Sequence, residues 1–222
     1  MVSKISRLAL VAIGCFGGLL SHASEGTAVW LSASAPSYEL TDKTKTKTAV
    51  ELRLPDASEL TYYRIGQQFY TSLNSDWQLG SHLSFENSKK ASDWNHTIRL
   101  ELELNPSKIS LGQNGPDLSM RNRWELRWKE DKGSEIFHRL RHRSKVTWKL
   151  ENGPFSSFSI GDEIFFEEDK GKITMNRFYP AILTAKHGDG IKGTYYLMYQ
   201  SKRAGTSSDW NGEYVLGIGY SF

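Results

Sequence analysis

The segment NHTIRLELEL, Asn95–Leu104, decides the fold, because its side chains alternate strictly between apolar and charged. The apolar positions share one face of the chain: Ile98, Leu100, Leu102 and Leu104. The charged positions share the other face: Arg99, Glu101 and Glu103. A period of two residues is typical of a β-strand, whereas an amphipathic helix repeats every three to four residues. This segment is therefore a strand with one apolar and one charged surface.

The same alternation continues through the rest of the chain. Three further strong strands are predicted at Asn122–Trp128, Arg139–Leu150 and Tyr214–Phe222. Weaker strands are predicted at Thr27–Ala35, Thr46–Leu54, Leu60–Leu73, Trp77–Glu86, Phe155–Phe166, Thr174–Lys186 and Ile191–Arg203. Turn-forming sequences such as Asn152-Gly153-Pro154 separate these strands. We expect an all-β fold in one domain, since no linker divides the chain.

Alternation alone also fits a soluble sandwich or a lipocalin-like barrel, which differ in the face that points inward. Three features favour a membrane barrel. The strands approach the roughly 9–11 residues that cross a bilayer when tilted, and the charged face is rich in arginine. Several tryptophans fall near predicted strand ends, where aromatic girdles belong: Trp77, Trp94, Trp128, Trp148 and Trp210. The sequence therefore predicts a closed antiparallel transmembrane β-barrel.

The number of strands follows less directly from the pattern. Eleven strands can be placed, but bacterial single-chain barrels have an even number. A short extra strand in Lys108–Gln113 gives about twelve, and ten results if two weak strands merge.

The first residues predict export from the cell. Residues 1–23 combine an early positive charge at Lys4 and Arg7, an apolar run and small residues before position 24, which is typical of a secretory signal peptide. Cleavage there leaves residues 24–222 as the barrel. A lipoprotein cut before Cys15 is the alternative. Because Cys15 is the only cysteine, a disulfide framework and a cysteine metal site are excluded.

Composition excludes two other classes of protein. The net charge of +3 is too small to indicate nucleic-acid binding. No apolar run reaches the roughly 18–20 residues of a membrane-spanning helix. We therefore expect no nucleic-acid partner and no membrane-spanning helix.

Four short motifs resemble a known family: Arg121–Arg127 (RNRWELR), Arg139–Arg141 (RLR), Asp162–Phe165 (DEIF) and Asn176–Tyr179 (NRFY). They are similar to the small Gram-negative outer-membrane barrels grouped as domain of unknown function 2490. The chain departs from that pattern at Pro180. The resemblance implies a barrel in the outer membrane of a Gram-negative cell, in contact with its lipid and lipopolysaccharide, and no particular activity. The terminal Tyr220 and Phe222 resemble the aromatic signal that the outer-membrane barrel assembly machinery recognises, which makes that machinery an expected partner.

The charged face should line the lumen. We expect its principal residues to form ion pairs or to line a path for anions. They are Arg99, Glu101, Arg121, Arg123, Glu125, Arg127, Arg139, Arg141, Arg143, Glu163 and Arg177. Arginine pairs with carboxylates through two parallel hydrogen bonds, so one reading is that these residues brace a narrow lumen. The other reading is a narrow solute channel that prefers anions, of the acidic-oligosaccharide porin type, because rings of arginine select for negative solutes.

A lipid-modifying hydrolase of the outer membrane is the alternative from a different class. It would need a nucleophile and a base. The candidate histidines are His82, His96, His138, His142 and His187, and no spacing among them forms a recognisable triad. Asp162 and Glu163 are adjacent and point to opposite faces, so they do not form a catalytic pair. We therefore expect no enzyme activity, no cofactor and no metal site; the oligomeric state cannot be read from the sequence.

Overall fold

The computed structural model describes residues 24–55, 57–188, 190–203 and 209–222. Thirteen strands account for most of them: β1 Ser24–Ser34, β2 Tyr38–Glu39, β3 Thr44–Pro55, β4 Tyr62–Ser72, β5 Trp77–Lys90, β6 Asp93–Pro106, β7 Ile109–Ser110, β8 Asp117–Lys129, β9 Ile136–Lys149, β10 Phe155–Glu167, β11 Lys172–His187, β12 Ile191–Arg203 and β13 Trp210–Ser221. Two single 3-10 turns complete the described part. It contains no helix long and apolar enough to cross a membrane. The predicted signal peptide, residues 1–23, lies outside the described residues.

Eleven of the strands form one closed wall, and β2 and β7 lie outside it. Each wall strand pairs with the next one along the chain. The wall closes where β1 pairs with β3 on one side and with β13 on the other. Trp30 on β1, for example, lies opposite Arg53 on β3 and Gly217 on β13. The predicted all-β barrel is confirmed.

The structure corrects two details of that prediction. The wall has eleven strands and not twelve, because the short strand in the predicted Lys108–Gln113 segment, β7, pairs only with β8. Since β6 pairs directly with β8 through Leu104 and Asn122, the wall has no gap for it. The barrel is also mixed and not purely antiparallel. In an odd-numbered meander the first and last strands run in the same direction, and β1 and β13 do pair in parallel.

The described ends of the chain consequently lie at opposite ends of the barrel. The amide of Phe222 donates to the carbonyl oxygen of Ser34 at 3.1 Å, so the C-terminus lies beside the exit of β1. We call this the C-terminal end; it also carries the turn at 150–154. Ser24 begins β1 at the other end, which we call the N-terminal end; it carries the turns at 91–92 and 130–135.

The distribution of polarity is the reverse of that in a soluble protein. Inside the barrel, Glu101, Glu125 and Glu163 are at most 1 % exposed. On the outer wall, Ile98 and Leu140 are 50 % and 49 % exposed. The tryptophans predicted near strand ends lie there, and they divide between the two ends of the barrel: Trp77 and Trp148 at the C-terminal end, and Trp94, Trp128 and Trp210 at the N-terminal end.

Candidate functional site

The lumen is organised around two buried carboxylates. Glu125 on β8 accepts from Arg139 and Arg141 on β9, each with a guanidinium nitrogen at 2.5 Å. Strand alternation places all three side chains inside the barrel, since each is flanked by outward residues. Glu125 is therefore held by two arginines from the neighbouring strand.

Glu163 on β10 is the second centre. Nη2 of Arg121 lies 2.5 Å from its Oε1, and Nη2 of Arg141 lies 2.9 Å from the same oxygen. Nη1 of Arg177 on β11 approaches Oε2 at 3.8 Å. Because Arg141 contacts both Glu125 and Glu163, it joins the two centres into one network that covers strands β8 to β11.

A third group continues the network toward β4 and β5. Arg123 contacts Glu101 at 2.8 Å and also forms an ion pair with Glu103. Arg99 contacts Glu101 at 3.2 Å, and Arg64 on β4 reaches the same residue at 3.4 Å. The contact between Arg64 and Glu101 joins β4 to β6 and skips β5. The side chains of the network therefore extend into the lumen and brace it, in addition to connecting neighbouring strands.

Aromatic and apolar groups fill the space beside this network, and the Phe165 ring lies 4.5 Å from the guanidinium group of Arg141. The Trp30 ring contacts two guanidinium groups, with that of Arg53 at 3.9 Å and that of Arg177 at 4.7 Å from a ring centroid. Phe165 and Met198, both fully buried, pack in the same interior. Together with the ion pairs they fill the middle of the barrel.

The predicted lumen residues mostly come together as the alternation implies. Ten of the eleven form ion pairs in the described structure: Arg99, Glu101, Arg121, Arg123, Glu125, Arg127, Arg139, Arg141, Glu163 and Arg177. Arg127 pairs with Glu167 at 3.3 Å, which lies nearer the N-terminal end. Arg143 is half-buried and forms no ion pair with the described residues. The predicted anion path stays a prediction.

One lumen cluster has the donor set of a metal site. Nδ1 of His82 lies 2.9 Å from Glu101, and its Nε2 lies 3.9 Å from Glu103. His82 Nε2 is buried and has no hydrogen-bond partner. However, Arg123 already forms ion pairs with both carboxylates, and its positive charge would oppose a cation between them. The cluster therefore fits a charge-compensated structural role better than a metal centre.

A second polar group lies on the outer wall, among mostly apolar side chains. Nδ1 of His142 lies 2.8 Å from Oδ1 of Asn122, and Nε2 of His142 lies 2.9 Å from Oγ of Ser144. On the adjacent strand, Asp162 accepts a hydrogen bond from Asn176 at 2.9 Å. These five side chains, which we call the outer polar row, cross the middle of β8 to β11.

The sequence contained a signal for part of this row. His142 and Ser144 are two residues apart on a predicted strand, so they share a face. Asn122 could not be assigned to them, because the pairing register of β8 with β9 is a property of the folded barrel. The other named histidines make no such serine contact: His138 stacks on Trp124 at 5.6 Å.

The terminal aromatic residues lie at the C-terminal end. Tyr220 points outward, with its hydroxyl 3.3 Å from that of Tyr195, and Phe222 is 53 % exposed. Their role in assembly stays a prediction.

No curated protein and no solved structure matches the chain significantly. Residues 27–211, from β1 into β13 of the barrel, match a family described as a protein of unknown function. Because this match covers most of the chain, the protein belongs to the DUF2490 family.

Proposed function

We propose that the protein is an integral β-barrel of the Gram-negative outer membrane, with a lumen closed by its own Arg–Glu network. Its immediate partners would be membrane lipid and lipopolysaccharide along the wall. The barrel assembly machinery would be a transient partner at the C-terminal strand. The role of the network in this proposal is to hold the barrel shut and rigid.

The observation that carries this proposal is the inverted polarity of the wall. Outward residues such as Leu83 and Leu216 are 54 % and 51 % exposed, whereas Glu101 and Glu163 are each 1 % exposed. A protein in water would bury the first pair and expose the second. Lipid reverses that preference, and a closed sheet leaves no backbone donor without a partner in the hydrocarbon.

The packing of the lumen favours a closed barrel over a porin. Water in an open pore would contact the lumen side chains, yet Glu125, Phe165 and Gln200 have no exposed surface. Each of the four most buried glutamates is also paired with at least one arginine, so the ion pairs cross-link the lumen wall. Arg143 and Lys145, nearer the C-terminal end, are the exceptions, and they would form at most a shallow basic vestibule.

The test is to express the full chain in a Gram-negative host and separate the cell fractions. We expect the protein in outer-membrane fractions, resistant to carbonate extraction, with a heat-dependent shift in gel mobility that is typical of folded barrels. In planar bilayers it should give no stable conductance steps. Recovery of a folded, detergent-free protein from the periplasm would overturn the membrane assignment, and reproducible conductance would overturn the closed lumen.

A further inference from the structure

The outer polar row needs an explanation of its own, because it occupies the middle of an apolar wall. Asn122, His142 and Asp162 lie near the centres of β8, β9 and β10, with apolar residues toward both ends of each strand. Polar side chains that face hydrocarbon are costly, and an ionisable group at such a position usually has a function. Nothing in the lumen network uses these residues, since they face away from it.

We propose that Ser144, His142 and Asn122 form a catalytic triad on the outer wall that hydrolyses acyl esters of membrane lipid. This inference rests on the proposed membrane location. It assigns residues to the lipid hydrolase that the sequence left as an alternative, and it runs against the expectation, still untested, that the chain is not an enzyme.

The hydrogen-bond order is that of a nucleophile, a base and an orienting group. The separation of 2.9 Å between Ser144 Oγ and His142 Nε2 is within the range for proton transfer. The 2.8 Å contact between His142 Nδ1 and Asn122 Oδ1 is on the opposite side of the ring. The three side chains therefore form a linear chain, which is how triads are recognised irrespective of fold.

The amide of Asn122 fixes the proton on the imidazole. Its Nδ2 donates to the carbonyl oxygen of Leu104 at 3.1 Å, so its Oδ1 faces His142 and can only accept. Nδ1 of His142 must then carry the hydrogen, and Nε2 presents a lone pair to Ser144. This is the tautomer that a general base needs, and a neighbouring strand imposes it.

The surroundings fit an acyl chain as substrate. A groove of about 480 Å³ opens on the outer wall beside the triad, and Asn122 and His142 contribute to its lining. The other outward side chains that line it are apolar: Leu79, Leu102, Leu104, Trp124, Leu140, Ile164 and Phe166. A substrate with a long hydrocarbon chain would bury that chain here and place its ester near Ser144. Asp162 lies opposite Ser144 in the register of β10 with β9.

The reaction follows from these groups with water as the second reactant. Ser144 Oγ would attack the ester carbonyl carbon while its proton passes to His142 Nε2. The bond to the alcohol oxygen would break, and His142 would return the proton to that oxygen, which releases the lysolipid. Water would then give a proton to His142 and attack the acyl-serine, and Ser144 would recover a proton as the fatty acid leaves.

The test uses the full barrel in detergent micelles and in phosphatidylethanolamine vesicles. A fluorophosphonate probe, located by peptide mass spectrometry, reports a reactive serine in the wild-type chain. Release of fatty acid from the vesicles, and hydrolysis of water-soluble p-nitrophenyl butyrate, report turnover. We expect the adduct at Ser144 and a loss of turnover of at least 100-fold in Ser144→Ala and His142→Ala.

Matched variants separate catalysis from structure. Ser81→Ala and His138→Ala alter an outward serine and histidine that lie outside the triad, and should keep full activity. Asn122→Asp should retain most of it, because a carboxylate also accepts from Nδ1, whereas Asn122→Ala should not.

The outcomes distinguish this inference from the membrane proposal. A membrane-embedded, folded wild-type barrel with no adduct at Ser144 and no fatty-acid release would overturn the hydrolase and leave the membrane assignment intact. A protein found free of membrane that still hydrolyses p-nitrophenyl butyrate through Ser144 would overturn the membrane location and the lipid substrate, but not the triad. An adduct at another serine would overturn the triad itself.

Discussion

Arg141 and Glu163 lie on neighbouring strands inside the barrel, with Nη2 of the arginine 2.9 Å from Oε1 of the glutamate. The other terminal nitrogen of Arg141 contacts Glu125, so one side chain connects carboxylates from β8 and β10. Buried charges that are paired in this way stabilise the fold mainly through the penalty that follows when one partner is removed. The first prediction concerns that penalty.

Glu163→Gln should destabilise the barrel by about 3 kcal/mol, because breaking a buried ion pair leaves an uncompensated charge in the interior. The glutamine would leave Arg121, Arg141 and Arg177 without their shared anion. Urea unfolding in detergent micelles, followed by far-UV circular dichroism, measures the change. Glu168→Gln is the matched control, since the Glu168 side chain is 67 % exposed and should tolerate the change. Equal stability of the two variants would show that the network contributes nothing to the fold.

The second prediction concerns the ring of Trp30, which contacts two arginine side chains. Trp30 is 6 % exposed and packs against the guanidinium groups of Arg53 and Arg177. Trp30→Ala should cost about 3–5 kcal/mol, the range for large-to-small core substitutions, and should open a space along β1. We also expect it to produce conductance in planar bilayers where the wild type gives none. Trp77→Ala is the control, because the Trp77 side chain lies on the outer wall and is 40 % exposed. If Trp30→Ala gave no conductance, the other lumen residues would be sufficient to close the barrel without the Trp30 ring.

The third prediction tests close packing between β12 and β13. Gly217 lies opposite Tyr196, and a Cβ added there would fall 1.8 Å from Cζ of that ring. Gly217→Ala must therefore displace a half-buried aromatic side chain, which typically costs about 1–3 kcal/mol. Gly219→Ala on the same strand meets first the hydroxyl of Ser32, which can rotate away. The unfolding midpoint should drop clearly for the first variant and little for the second. The reverse order would contradict the packing described here.

The alternation of side chains was sufficient to predict the barrel and the contents of its lumen. Leu102 and Glu103 alternate in the sequence, and in the structure they face outward and inward respectively. A strand's two faces are a local property, because successive side chains point in opposite directions whatever the strand pairs with. The sequence could therefore predict which arginines and glutamates share the interior.

Pairing and closure could not be predicted in the same way. Whether the wall has an odd or an even number of strands depends on whether Lys108–Gln113 forms one of them. The segment is left out because β6 and β8 pair directly with each other. The contact of His142 with Asn122 depends on the register of β8 with β9. A register is set by the whole sheet and not by either strand, so the strand number and the outer triad became visible only in the folded barrel.

The odd number of wall strands leads to the last prediction, about sidedness. An even barrel returns the chain to the side where it began, whereas this one places the turns at 91–92 and 150–154 at opposite ends, with the turn at 130–135 at the same end as 91–92.

Cys15 is the only cysteine and precedes the barrel, so single cysteines can be introduced without interference from another in residues 24–222. We expect Ser92→Cys and Lys132→Cys to react with a membrane-impermeant maleimide from the same side of the outer membrane. Asn152→Cys should react only from the other side. Labelling of intact cells, compared with permeabilised cells, measures this. If Ser92→Cys and Asn152→Cys reacted equally in intact cells, the protein would not span the membrane as the eleven-stranded wall requires.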